Sequence, residues 1–302
     1  VLFAFLTTIL WSFSAIFARR LVGALGSTLA NLSRCLVAAA LLAIWAFLFG
    51  QGCQGEGLRW YLLSGMVGFG LGDITLYFAL ARIGSRLTLL LTQCLAAPFA
   101  IIIEWLWLGT ALTLPQLLCT AGVLIGVSAA LLPKDNAHLP SRTLWSGIGY
   151  GALAALGQGL GAVISRKAYA LSLASGVRID GGTAAFQRIL AGAAIGFAAW
   201  WLLRHRAGEQ RWPSLVTALR TQRFRLTLLA AALCGPVVGV GCYQWALATA
   251  PSGLVLPIVS LCPIAIIPFS WWLEGDRPKP RSIIGGVVAV GCAIALAQLR
   301  TS

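Results

Sequence analysis

Charge is what this sequence has little of. Charged residues fill 10% of its 302 positions, and only eight are acidic against 22 lysines and arginines. A soluble domain carries about a quarter charged residues, so a water-facing surface for a chain of this size cannot be built here. Histidine is almost missing: His138 and His205 both fall in polar connections. The eight cysteines form no C-x-x-C pair and, Cys53 apart, lie in apolar stretches. They read as small packing residues, and a metal or disulfide framework has no support. No Walker A segment is present, so direct drive by ATP is unsupported. Residues 1–18 are apolar, but no A-x-A-like cleavage site precedes a soluble domain, so they read as a first membrane helix and not a signal peptide. The start at Val1 is compatible with a few residues missing upstream.

What is present is apolar. The hydrophobic fraction is 59% and the mean hydropathy +0.88, which predicts a polytopic membrane protein whose exterior is covered by lipid. A bilayer core takes about 20 helical residues. On that measure the spans are 1–18, 28–50, 59–81, 87–109 and 114–132, then 144–165, 183–203, 226–249, 254–273 and 282–299. A polar break separates the two sets, giving a first repeat over 1–132, a linker over 133–143 and a second repeat over 144–302. The net charge of +14 comes from arginines gathered at helix ends. There they read as topology determinants and headgroup contacts, not as a nucleic-acid surface.

The two sets are related. Pro98–Leu108 reads against Pro263–Leu273 with six of eleven pairs identical, including Pro98/Pro263, Ile101/Ile266 and Trp107/Trp272. Ala79–Ala81 recurs as Ala246–Ala248, Arg34 corresponds to Arg188, and Gly126 corresponds to Gly291. Five spans per repeat is an odd number, so the second copy starts on the opposite side of the membrane. The expected fold is all-α: ten transmembrane helices as two inverted five-helix repeats, with a substrate cavity near the midplane. Basic residues concentrate in the odd-numbered connections, above all 204–225, which puts those in the cytoplasm and both termini outside.

Several local patterns then resemble the EamA-type family of the drug/metabolite transporter superfamily. Leu10, Trp11 and Ser12 resemble its early Trp-Gly/Ser. Arg34 and Arg188 stand where it carries an Arg early in the second helix of each repeat. Tyr77–Ala81 and Tyr243–Ala248 resemble its Tyr-x-x-Ala-Leu segment, and Leu273–Arg277 its Gly-Glu-Arg. The first repeat departs from the last pattern, reading Gly109 and Thr110 with no acid. The resemblance implies an exporter of amino acids or related metabolites in the cell's inner or plasma membrane. It fixes no substrate.

Charges inside a span are costly and usually face a cavity or a partner. Asp73, in a glycine-rich run of span three, is a candidate for proton coupling or for binding a substrate amine; the plainer reading is a bond to a neighbouring helix. Glu104 is a candidate gate or coupling acid, or else an interfacial carboxylate among Trp105 and Trp107. Arg34 and Arg188 can bind a substrate carboxylate, close a gate, or snorkel from helix ends. Trp11, Tyr77, Gln93, Gln158, Tyr243, Gln244 and Trp245 complete a candidate cavity suited to a small amphipathic metabolite. Pro98, Pro257, Pro263 and Pro268 are candidate kinks or gating points. The expected partners are a small-molecule substrate, protons, membrane lipid and a second copy of the chain, with no cofactor. A lipid-glycan flippase of the same fold is the nearest alternative. A membrane enzyme acting on lipid phosphate is disfavoured, since two loop histidines and no acidic cluster cannot furnish its site.

Cysteine accessibility scanning of 204–225 tests the orientation. Labelling from the cytoplasmic side is expected, and labelling from outside would reverse the assignment.

Overall fold

The computed structural model describes residues 2–131, 140–204, 212–265 and 280–299. Within them every regular element is helical. The first set comprises α1 (Leu2–Leu25), α2 (Ser27–Leu48), α3 (Leu58–Gly84), α4 (Leu87–Leu108) and α5 (Leu114–Leu131). The second comprises α6 (Ser141–Ala174), α7 (Gly181–Leu203), α8 (Gln222–Thr249), α9 (Ser252–Ala265) and α10 (Pro280–Gln298). A short helix, Trp212–Ala218, lies in the connection before α8.

Eight helices are long and apolar enough to cross a membrane; α5 and α9 are shorter. The ten-span expectation therefore holds for eight spans by length. The end of the expected span 254–273, with Pro268 and the Leu273–Arg277 segment, lies outside the described residues. Helices α1 and α6 run well past the expected 1–18 and 144–165. Arg19, Arg20 and Arg166 continue these helices instead of ending them, since arginine is a good helix former and its stem reaches polar groups from within a helix.

Backbone chemistry sets the boundaries. Gly26 at φ 76° separates α1 from α2, and Gly84 at φ 69° separates α3 from α4, a region of φ that side chains with a Cβ avoid. Asp180 caps α7, its carboxylate accepting from Gly182 N at 2.8 Å and Thr183 N at 3.0 Å. Helix α9 is interrupted at Ser260 and Leu261, between Pro257 and Pro263. There Thr8 donates to the Ile258 carbonyl at 3.0 Å and Ser12 to the Cys262 carbonyl at 2.6 Å, so hydroxyls of α1 serve the carbonyls of the broken helix.

Each repeat packs into the other. Helix α1 lies against α8 and α9, α2 against α7, α6 against α3 and α4, and α5 against α10. Small residues allow close approach, as in many membrane bundles. A Cβ on Gly126 would stand 2.7 Å from Ala289 N and from Gly285 O. Gly126 thus meets α10 through Gly285 and Ala289, not through its repeat mate Gly291. Hydroxyl bonds add to these contacts: Ser64 donates to the Gly161 carbonyl at 2.6 Å, and Ser282 to the Ala130 carbonyl at 2.8 Å. The outward faces stay apolar, with Phe47, Leu106, Ile125, Leu202 and Val287 exposed, as lipid contact requires.

Gly126→Val is expected to force α5 from α10 and cost about 1–3 kcal/mol of overpacking. Thermal unfolding in detergent reads this as a lowered Tm; an unchanged Tm would mean the contact is loose.

Candidate functional site

Helices α2 and α7 begin 154 positions apart, and each carries its arginine as the eighth helical residue. Both side chains are buried, Arg34 at 6% and Arg188 at 5% exposure. Neither snorkels to a surface. Each instead crosses to the third helix of the opposite repeat, where that helix opens into a π-helical turn: Met66–Gly72 in α3 and Leu233–Val237 in α8. The two turns start 167 positions apart, the same displacement that relates Ala79 to Ala246. Such turns disturb the i to i−4 ladder and recur at functional sites. A Cβ on Gly235 would stand 3.0 Å from Arg34 Nη1, and one on Gly68 would stand 2.8 Å from Arg188 Nη2. Glycine at both positions gives each guanidinium its space.

The arginines then differ. Arg34 forms an ion pair with Asp73, and its Nη2 also reaches Asn31 Oδ1 at 3.2 Å. Its guanidinium carbon stands 5.2 Å from the Tyr77 ring centre. Arg188 stands 5.3 Å from the Phe69 ring centre, and among the described residues no carboxylate pairs with it. Its Nε lacks a hydrogen-bond partner among the described residues. The repeat mate of Asp73 is Val240, so the acid that balances Arg34 has no counterpart beside Arg188.

Between the repeats lies a cavity with about 110 Å³ open to the centres of water molecules. Trp11, Arg34, Asp73, Tyr77, Gln93, Gln158, Arg188 and Tyr243 all line it, from helices of both repeats. Gln158 donates to Gln93 at 3.2 Å across α6 and α4, and the Trp11 and Tyr243 rings meet at 5.1 Å. The hydroxyls of Tyr77 and Tyr243 have no hydrogen-bond partner among the described residues. The surface offered is aromatic and apolar, with a few polar groups aimed inward.

Glu104, Gln244 and Trp245 do not line this cavity. Glu104 is 1% exposed, while its neighbours Trp105 and Trp107 face outward. Its carboxylate accepts from Arg166 Nε at 3.0 Å, from Ser252 N at 2.7 Å and from the Ser252 hydroxyl. Arg166 Nη1 also donates to the Leu247 carbonyl at 3.0 Å. This clamp joins α4 and α6 to the end of α8 and the start of α9. Trp245 packs on Phe3 and Trp45, and Gln244 is fully buried with both ends of its amide unpartnered. Pro98 sits within an unbroken α4, while Pro257 and Pro263 flank the α9 interruption.

Sequence reading missed Arg166, the two π-helical turns and the glycines under the arginines. An intramembrane acid demands a cation, and Arg166 at the end of span six was the available signal. The turns leave no comparable trace.

The bundle encloses a cavity that helices of both repeats share. The chain belongs to the EamA-like transporter family, which matches residues 1–132 and 145–297. A solved structure titled "Crystal structure of protein" superposes with a TM-score of 0.74 at 18% identity, over 99% of this chain and 96% of that one, and shares the fold. No curated protein matches the chain.

Truncating one partner of a buried ion pair leaves the other uncompensated, at a cost of about 3–5 kcal/mol. Asp73→Asn is expected to destabilise the protein in detergent by that order. Glu104→Gln and Arg166→Gln should each destabilise but not add. Additive effects in a double-mutant cycle would dissolve the clamp.

Proposed function

We propose that this protein is a secondary transporter that moves a small metabolite across the cell membrane by alternating access. The observation that carries the reading is the cavity lined by both repeats, with an arginine from each held over a glycine of the other. In this reading the two shorter helices, α5 and α9, complete ten spans, and the repeats have inverted topology. A cavity on the pseudo-two-fold axis is then reached from one side or the other as the repeats rock. The direction is export, taken from the family resemblance.

Asp73 is the sole carboxylate lining the cavity among the described residues. A coupled proton would act there by releasing Arg34. Glu104, held in its clamp, contributes to holding α4, α6, α8 and α9 together rather than to coupling.

The test is a metabolite panel in proteoliposomes with and without a pH gradient. Wild type is expected to move at least one member. Where the gradient stimulates that movement, Asp73→Asn should lose the stimulation and retain exchange, whereas Glu104→Gln should keep it. Full stimulation in Asp73→Asn would remove that residue from coupling, and failure of the panel to move at all would count against transport.

A further inference from the structure

Arg188 poses a question that the general transport reading leaves open. Arg188 is 5% exposed, deep in the helical bundle, and lines the cavity. No carboxylate meets it among the described residues, no hydrogen bond from it is formed there, and its Nε is unsatisfied. A cation withdrawn from water is expensive unless paired. The Phe69 ring, 5.3 Å away, offers only part of what an anion would.

The other half of the molecule supplies the comparison. A Cβ on Gly235 would meet both Arg34 and Ser14, and one on Gly68 or on Gly161 would meet Arg188. Gly68 and Gly235 are 167 positions apart, and Ser14 and Gly161 are 147 apart, the displacement that also relates Arg19 to Arg166. The two arginine sites are thus repeat-equivalent, and the first is occupied by a carboxylate of the protein itself, Asp73. In the second, Val240 stands at the matching position and lines the cavity.

Resting on the transport reading, we propose that Arg188 binds the carboxylate of the transported solute, and that this solute is a small amphipathic monocarboxylic acid. Asp73 beside Arg34 is the protein's own version of the bound state. The charge count selects the class. Arg34 and Asp73 cancel, leaving one positive charge at the cavity, which one carboxylate neutralises. A phosphate dianion would leave an uncompensated negative charge in a low-dielectric site. A second, amine group would find no free acid, since Asp73 is taken. Trp11, Tyr243 and Phe69 face the apolar body of the solute.

The experiment reads binding by thermal unfolding of the purified full chain in detergent. The probes are two matched sets: 3-phenylpropionate, 3-phenylpropionamide, phenylalanine and phenethylamine; and 4-methylpentanoate with its amide, leucine and isoamylamine. Sodium phosphate and chloride serve as controls. At least one of the two acids is expected to raise Tm by about 2–4 °C, with the matched amide and amine inactive and the amino acid weaker. Arg188→Gln should weaken that acid's binding by about tenfold or more without lowering the ligand-free Tm, because it loses only the Phe69 ring contact and relieves an unpaired buried charge. Val240→Asp should also remain folded and lose acid binding, its carboxylate occupying Arg188.

The proposal is overturned if neither acid shifts Tm, if an amide, amine or amino acid matches its acid, or if phosphate or chloride gives the same shift. It also falls if the shift survives Arg188→Gln, or if that variant alone unfolds at lower temperature. Acid binding in detergent without movement in proteoliposomes would sink the transport reading alone. Movement of neutral or cationic solutes with no acid binding would sink this inference alone.

Discussion

A guanidinium cannot shed its charge in a protein, so inside a membrane it must find an anion. Three buried or half-buried arginines set the terms for this bundle. Arg34 takes Asp73 and Arg166 takes Glu104. Arg188, at the same helical position as Arg34 and likewise over a glycine of the opposite repeat, takes no acid among the described residues. The helices are placed so that both equivalent arginines can reach across the repeat boundary. The π-helical turns open the opposite helices at those points, and Gly68 and Gly235 leave room for the planar heads. These groups meet at the cavity.

Duplication built the frame, and departures from it carry the asymmetry. Asp73 faces Val240 across the repeat relation, and Arg166 corresponds to Arg19, which is exposed. One end of the bundle therefore has a charged clamp joining four helices, through Glu104, Arg166, Ser252 and the Leu247 carbonyl. In the alternating-access reading proposed above, the halves must be alike enough to exchange roles and different enough to favour a direction. The scaffold contacts, such as Gly126 against Gly285, meet the first need; the charged residues bear on the second.

Much of this is legible in the sequence alone. Long apolar runs give membrane helices because the bilayer fixes their length, and Arg34, Asp73 and Tyr77 announced themselves as polar groups where water is absent. What stayed hidden depends on geometry. Helix α1 continues through Arg19 and Arg20 because a charged pair marks a membrane boundary without ending a helix. The π-helical turns are changes of hydrogen-bond register, which side-chain pattern does not encode. Glu104 and Arg166 stand 62 positions apart, so their meeting follows from helix packing alone. Gln244 and Trp245 adjoin Tyr243, but successive helical residues face different ways, and only Tyr243 turns to the cavity.

The central claim is that the two arginine sites are equivalent and that one acid decides which is filled. Exchanging the acid between repeats tests it most directly, as the thermal stability of Asp73→Val/Val240→Asp against Asp73→Val alone. The account predicts that the added aspartate pairs with Arg188 and restores most of the stability that Asp73→Val removes. A double variant less stable than Asp73→Val would show a buried carboxylate without a partner at position 240, and would contradict the equivalence on which the account stands.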